Sequence, residues 1–75
     1  MSEARFRMTR LAVDEAADSR SLAELAERLT RDPTAHYQGA VPAEVGAVVH
    51  GVLTWGARPG RPREHRGAVT VERLA

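Results

Sequence analysis

Residues 42–57, PAEVGAVVHGVLTWGA, constrain this chain more than any other stretch, because after Glu44 they carry no charged side chain. Such a run is expected to be buried in protein or inserted in a membrane. It is shorter than the roughly 20 residues a helix needs to cross a bilayer, and Glu44 and His50 interrupt it, so burial is the expectation. Pro42 suits a first helical position, where its missing N–H costs little, and Glu44 complements the positive end of a helix. Val45, Val48, Val49, Val52 and Leu53 recur at helical spacing as one apolar stripe, with Gly56 as the stop. Gly46 and Gly51 each weigh about 1 kcal/mol against that helix relative to alanine. Close approach of a neighbouring helix, a strand or a second chain would offset the cost.

Whose core this segment joins matters, because the chain has only 75 residues. That is one domain, with a core supplying no more than roughly 3–5 kcal/mol net. Cysteine is absent, so neither a disulfide nor a thiolate metal site reinforces it, as fits a reducing cytosol. A homo-oligomer or a partner protein is therefore expected. Eleven arginines face ten carboxylates, for a net charge of +1, which gives no global attraction to nucleic acid or acidic lipid. No apolar run follows the arginines of MSEARFRMTR, so no secretory signal is expected; Met8 is an alternative start to Met1. A cytoplasmic placement without a membrane span follows.

The flanking segments supply the remaining elements. RFRM (5–8) alternates, with Phe6 and Met8 on one side and Arg5 and Arg7 on the other, a strand period. Leu11 and Val13 fall out of that phase, which a bulge near Thr9 and Arg10 would accommodate. Within 13–33, Ser21 followed by Glu24 reads as a capping box. Leu22, Leu25, Ala26 and Leu29 then form a helical stripe, which Pro33 ends. Residues 57–67, ARPGRPREHRG, read as a flexible Arg/Pro/Gly loop. AVTVERL (68–74) alternates again, with Val69 and Val71 inward. The expected fold is α+β: a single two-layer β-α-α-β domain over residues 1–75, its two helices packed on a sheet of the terminal strands.

No motif announces catalysis. His36, His50 and His65 share no ligand spacing. Ser21 is occupied as a helix cap, and neither Ser2 nor Ser19 has a glycine elbow or base beside it. Tyr37 beside His36 reads as a ring pinned over a small core. No cofactor is implied, and a non-enzymatic protein is expected. The cluster Arg58, Arg61, Arg63 and Arg66 could meet phosphate or an acidic surface, but no aromatic residue interleaves with it for base stacking. A DNA-binding alternative comes from the N-terminus: in a ribbon-helix-helix dimer, Arg5, Arg7 and Thr9 would face bases from a paired strand.

The run SLAELAERLTRDP, followed by PAEVGAVVHGVL, resembles the actinobacterial effector-associated constant component domain. The matching residues are Asp32 and Pro33, then Glu44, Gly46 and Ala47, and REHRGAVTVERLA is similar to that family's Arg-rich approach to a closing strand. Val45 stands where the family has Met, and the second half of its long helical region is missing. The resemblance implies a non-catalytic adaptor that couples effector proteins in bacterial conflict systems, and it supplies no catalytic residues. Together these readings point to a protein-interaction module contacting another protein or itself. Val48, Gly51, Val52 and Trp55 would carry the contact, with Arg61 and Arg63 as a polar rim. A small subunit of a larger enzyme is a further alternative.

Overall fold

In the computed structural model, residues 3–61 and 63–75 are described. Met1, Ser2 and Pro62 lie outside the described residues, and with them Met1 of the two alternative starts and the middle of the 57–67 loop. The chain forms β1 (Phe6–Arg10), β2 (Glu15–Ser19), α1 (Leu22–Thr30), β3 (His36–Gly39), β4 (Val48–Trp55) and β5 (His65–Arg73). All five strands lie in one antiparallel sheet of order β2-β1-β5-β4-β3. The expected β-α-α-β fold is thus corrected: there is one helix, and the segment expected to form the second is a loop followed by the long strand β4.

The reason lies in residue type. Residues 48–55, VVHGVLTW, are rich in Val, Thr and Trp, which fit a pleated surface better than a helix. Their apolar positions satisfy both periods, since Val49, Leu53 and Trp55 also alternate as one strand face. Pro42 is not a helix start but a fully buried loop residue. Arg73 fixes that loop, its guanidinium donating to the Pro42 and Ala43 carbonyls at 3.4 and 2.8 Å while its backbone pairs with Gly46 and Ala47.

β1 and β5 match their sequence pattern. Phe6 and Met8 are buried on one side of β1, Val69 and Val71 on the same side of β5, and Met8 stands opposite Val71. No bulge interrupts β1: the register runs unbroken to Arg10, which pairs with both Glu15 and Val69. Leu11 and Val13 belong instead to the exposed β1–β2 turn, closed by Asp14 at φ 52°.

The helix is shorter than the 13–33 segment allowed, because residues 15–19 turn back as the edge strand β2. Its start is where expected: Ser21 Oγ accepts from the Glu24 amide at 3.2 Å. Ser19 completes the cap by an indirect route, its hydroxyl accepting from the Ser21 amide and donating to the Glu24 carboxylate. Arg31, left-handed at φ 56°, ends the helix just before Asp32 and Pro33. From the β2 edge, α1 crosses one face of the sheet to reach β3 at the other edge. Leu25, Ala26 and Leu29 bury themselves there with Phe6, Met8, Leu53, Val69 and Val71. Among the described residues no helix is long and apolar enough to cross a membrane.

The molecule is elongated, 44 × 24 × 19 Å. β5, at nine residues, is about 30 Å long, and β1 pairs only with its second half. The first half of β5 and the end of β4 therefore project beyond β1 as a hairpin. The loop expected over 57–67 is correspondingly shorter, since His65, Arg66 and Gly67 are paired strand residues. Arg58 and Arg61 exchange backbone hydrogen bonds of 2.9 and 2.8 Å across the Pro59–Gly60 tip.

Candidate functional site

Strand alternation decides where the expected contact residues go. On a helix, positions 48, 51, 52 and 55 would share a stripe; on β4 they divide between faces. Val48 and Val52 point to the face away from α1, and Val48 is 56% exposed. Gly51 and Trp55 lie on the face that α1 covers in part.

Gly51 does not meet a partner chain. The Tyr37 ring lies directly over it, so that a Cβ there would run into the ring, and a Cβ at Gly39 would meet the Tyr37 hydroxyl at 2.7 Å. That hydroxyl donates to the Ala40 carbonyl at 2.6 Å, and burial pushes the phenol above its ordinary pKa. Tyr37 is thus the core-closing ring that its sequence context implied, and Gly51 is the gap it fills.

Trp55 does gather functional groups around it. It pairs across the hairpin with His65, the two rings stacked with centroids 5.6 Å apart at 28°. The far edge of the indole rests on Gly67, where an added Cβ would stand 3.3 Å away. The Arg10 guanidinium lies over the ring at 4.6 Å from its centroid, a cation–π arrangement. Arg10 Nη1 donates to the Leu29 carbonyl at 3.3 Å, which offsets the negative end of the helix. Its buried Nε makes no hydrogen bond, so the indole stack is its main compensation.

Beyond this stack the last turn of α1 and the β4–β5 hairpin frame an open groove of about 330 Å³. Its lining includes Arg31, Asp32, Trp55, Arg58, Arg61 and His65. A second depression of about 480 Å³ adjoins it, lined by Gly56, Gly60, Arg61, Arg63 and His65. Gly56 joins the two; its φ of 89° and the His65 ring 2.9 Å from a would-be Cβ both favour glycine. Asp32, the one carboxylate of the first groove, accepts from the Thr34 hydroxyl at 2.6 Å and amide at 2.8 Å. These two bonds, with Arg58 Nη2 3.6 Å away, hold its carboxyl below the usual range despite burial. Among the described residues Arg31, Arg61 and Arg63 have no carboxylate partner.

The structure therefore unites three of the six expected contact residues, Trp55, Arg61 and Arg63, and separates the other three. Sequence reading missed Arg10, Arg31, Asp32 and His65 as members. Aromatic residues do sit among the arginines in space, although none interleaves in sequence. The net charge of +1 also conceals a segregation: residues 56–67 hold four arginines against one glutamate, and the remainder seven against nine carboxylates.

The residues of the DNA-binding alternative lie elsewhere. Arg7 and Thr9 are on the face away from α1, and Arg5 precedes β1. Asp18 accepts from Arg7 Nε and Nη2 at 2.8 and 3.0 Å, which lowers the Asp18 carboxyl and raises the Arg7 guanidinium. β1 is an interior strand with β2 and β5 on its two edges, whereas a shared ribbon needs it at an edge.

His36 and His50 occupy the outer face and His65 the groove side; among the described residues no cluster of three or more His, Asp or Glu is placed to hold a metal. Comparison with protein-family models, with curated proteins and with solved structures finds no match to this chain.

Proposed function

We propose that this chain is a non-enzymatic interaction module, an adaptor that docks another protein through the end of the sheet built by Trp55, His65 and the hairpin arginines. The observation that carries the reading is the combination around Trp55. A half-buried tryptophan, held by Arg10, His65 and Gly67, lines one open groove edged by Arg31, Arg58 and Arg61, and a second depression holding Arg61 and Arg63 adjoins that groove. Tryptophan and arginine are the side chains most enriched where interfaces concentrate their binding energy. A rigid ring loses little freedom on binding, which favours a preformed contact over an induced one. Coupling to an effector protein in a conflict system rests on the sequence resemblance alone.

Val48 and Val52 are left out of this surface, being on the opposite face. The paired-ribbon mode of DNA binding is disfavoured, because β1 has both edges filled and Arg7 is engaged by Asp18. The test is affinity capture from the native cytosol with the parent chain and with Trp55→Ala. One defined protein should be recovered in stoichiometric amount by the parent and lost with the variant. Equal recovery by both would place docking elsewhere.

A further inference from the structure

We infer that the segment docking in this groove is an acidic, extended stretch of the partner protein, its carboxylates taken by Arg31, Arg58 and Arg61. This rests on the docking reading above and narrows it. Three guanidinium groups line the first groove against a single carboxylate, Asp32, which the Thr34 hydroxyl and amide already satisfy. Arg58 leans toward Asp32 at 3.6 Å, beyond hydrogen-bond distance, so it can turn to an incoming carboxylate without breaking a tight pair. Among the described residues Arg31 and Arg61 have no carboxylate partner to leave. Planar guanidinium forks match carboxylates bidentately. The negative end of α1, which would repel an anion, is countered by Arg10 on the Leu29 carbonyl.

A nucleic acid strand meets the charge requirement as well, but the aromatic geometry argues against it. Base binding needs a free ring face, whereas the indole of Trp55 is covered by Arg10, stacked with His65 and seated on Gly67. The groove, of about 330 Å³, accommodates a few acidic side chains of the docking segment. Its openness suits a peptide laid across it.

Trp55 is the only tryptophan, so its fluorescence reports directly on the groove. The probes are a glutamate-rich peptide of about ten residues, a lysine-rich peptide of the same length, and a single-stranded oligonucleotide of matching charge. The glutamate peptide should change Trp55 emission saturably at low salt and lose its effect near 1 M salt, where screening acts within about 3 Å. Arg31→Ala with Arg61→Ala, both exposed and without tertiary side-chain bonds, should keep the native circular dichroism and weaken the peptide by about tenfold or more. The lysine peptide should do nothing. No saturable response, an unchanged affinity in the double variant, or tighter binding of the oligonucleotide would each overturn the inference. If capture recovers a Trp55-dependent protein whose contacting segment lacks carboxylates, docking stands and the acidic segment falls. If no Trp55-dependent partner exists, the docking reading itself falls.

Discussion

The centre of the sheet and its margins are closed by different means. At the centre, Leu25, Ala26 and Leu29 of α1 cover Met8, Val69, Val71 and Leu53, and none of these is more than 6% exposed. Where the helix leaves the inner face open, at the β3 and hairpin side, the surface is finished differently. There a ring packs on a glycine instead, Tyr37 over Gly51 at β3 and the far edge of Trp55 on Gly67 at the hairpin end. The centre excludes water completely and carries the stability. The margins leave ring edges half-exposed beside charged groups, which suits them to contact something else. The nine-residue helix reaches from β2 to β3 but leaves the hairpin end of the sheet open, and there glycine paired with an aromatic ring finishes the surface.

The strongest way to break that contrast is to cut the centre. Leu25→Ala should cost about 3 kcal/mol by lost burial and cavity formation, most of what a domain of this size has, and should show as a large drop in urea midpoint. A change comparable to a surface substitution would mean that α1 is not the lid.

The margin is sharpened by Gly51→Ala. The added methyl meets the Tyr37 ring, and overpacking of this kind costs about 1–3 kcal/mol. Tyr37→Ala combined with Gly51→Ala should cost less than the two separate losses added together, a coupling visible in a double-mutant cycle of thermal melts. Strict additivity would separate the ring from the glycine.

A smaller effect is expected at Asp32. Its folded carboxyl lies below its unfolded value because of Thr34 first and Arg58 second. Its contribution is therefore fully present above the ordinary value of 3.8 and is lost as pH falls through the folded value. Parent and Asp32→Asn should differ in urea melts at pH 6 and converge at the acid limit of folding; a gap that widens toward acid would reverse the assignment. Smallest of all should be Arg7→Ala: its pair with Asp18 is exposed, and such pairs contribute little. Its melting temperature should stay close to that of the parent, and a large fall would promote the outer face from solvated surface to structural element.

What was legible in the sequence was what a single local period could state. Phe6 and Met8 on β1, Val69 and Val71 on β5, and the Ser21 cap with Leu25, Ala26 and Leu29 behind it all follow from spacing of two or of three and four. Residues 48–55 were not legible in that way, since Val48, Val49, Val52 and Leu53 fit a helical stripe while Val49, Leu53 and Trp55 fit a strand face. The choice was made by distant partners: Val71 opposite Val49, and the Tyr37 ring needing room over Gly51. β2 and β3 were missed because edge strands of four or five mostly polar residues carry almost no pattern. The candidate site was half-visible. Trp55 and the hairpin arginines stood out as composition, whereas Arg10, Arg31 and Asp32 join them only through the fold.

The most direct test of the division between a stabilising centre and a binding margin is amide and indole chemical-shift mapping with the glutamate-rich peptide. Shifts are predicted at the Trp55 indole, Arg31, Arg58, Arg61 and His65, with Met8, Val69 and Val71 unmoved. Shifts gathered on Val48, His50 and Val52 across the opposite face would contradict the account.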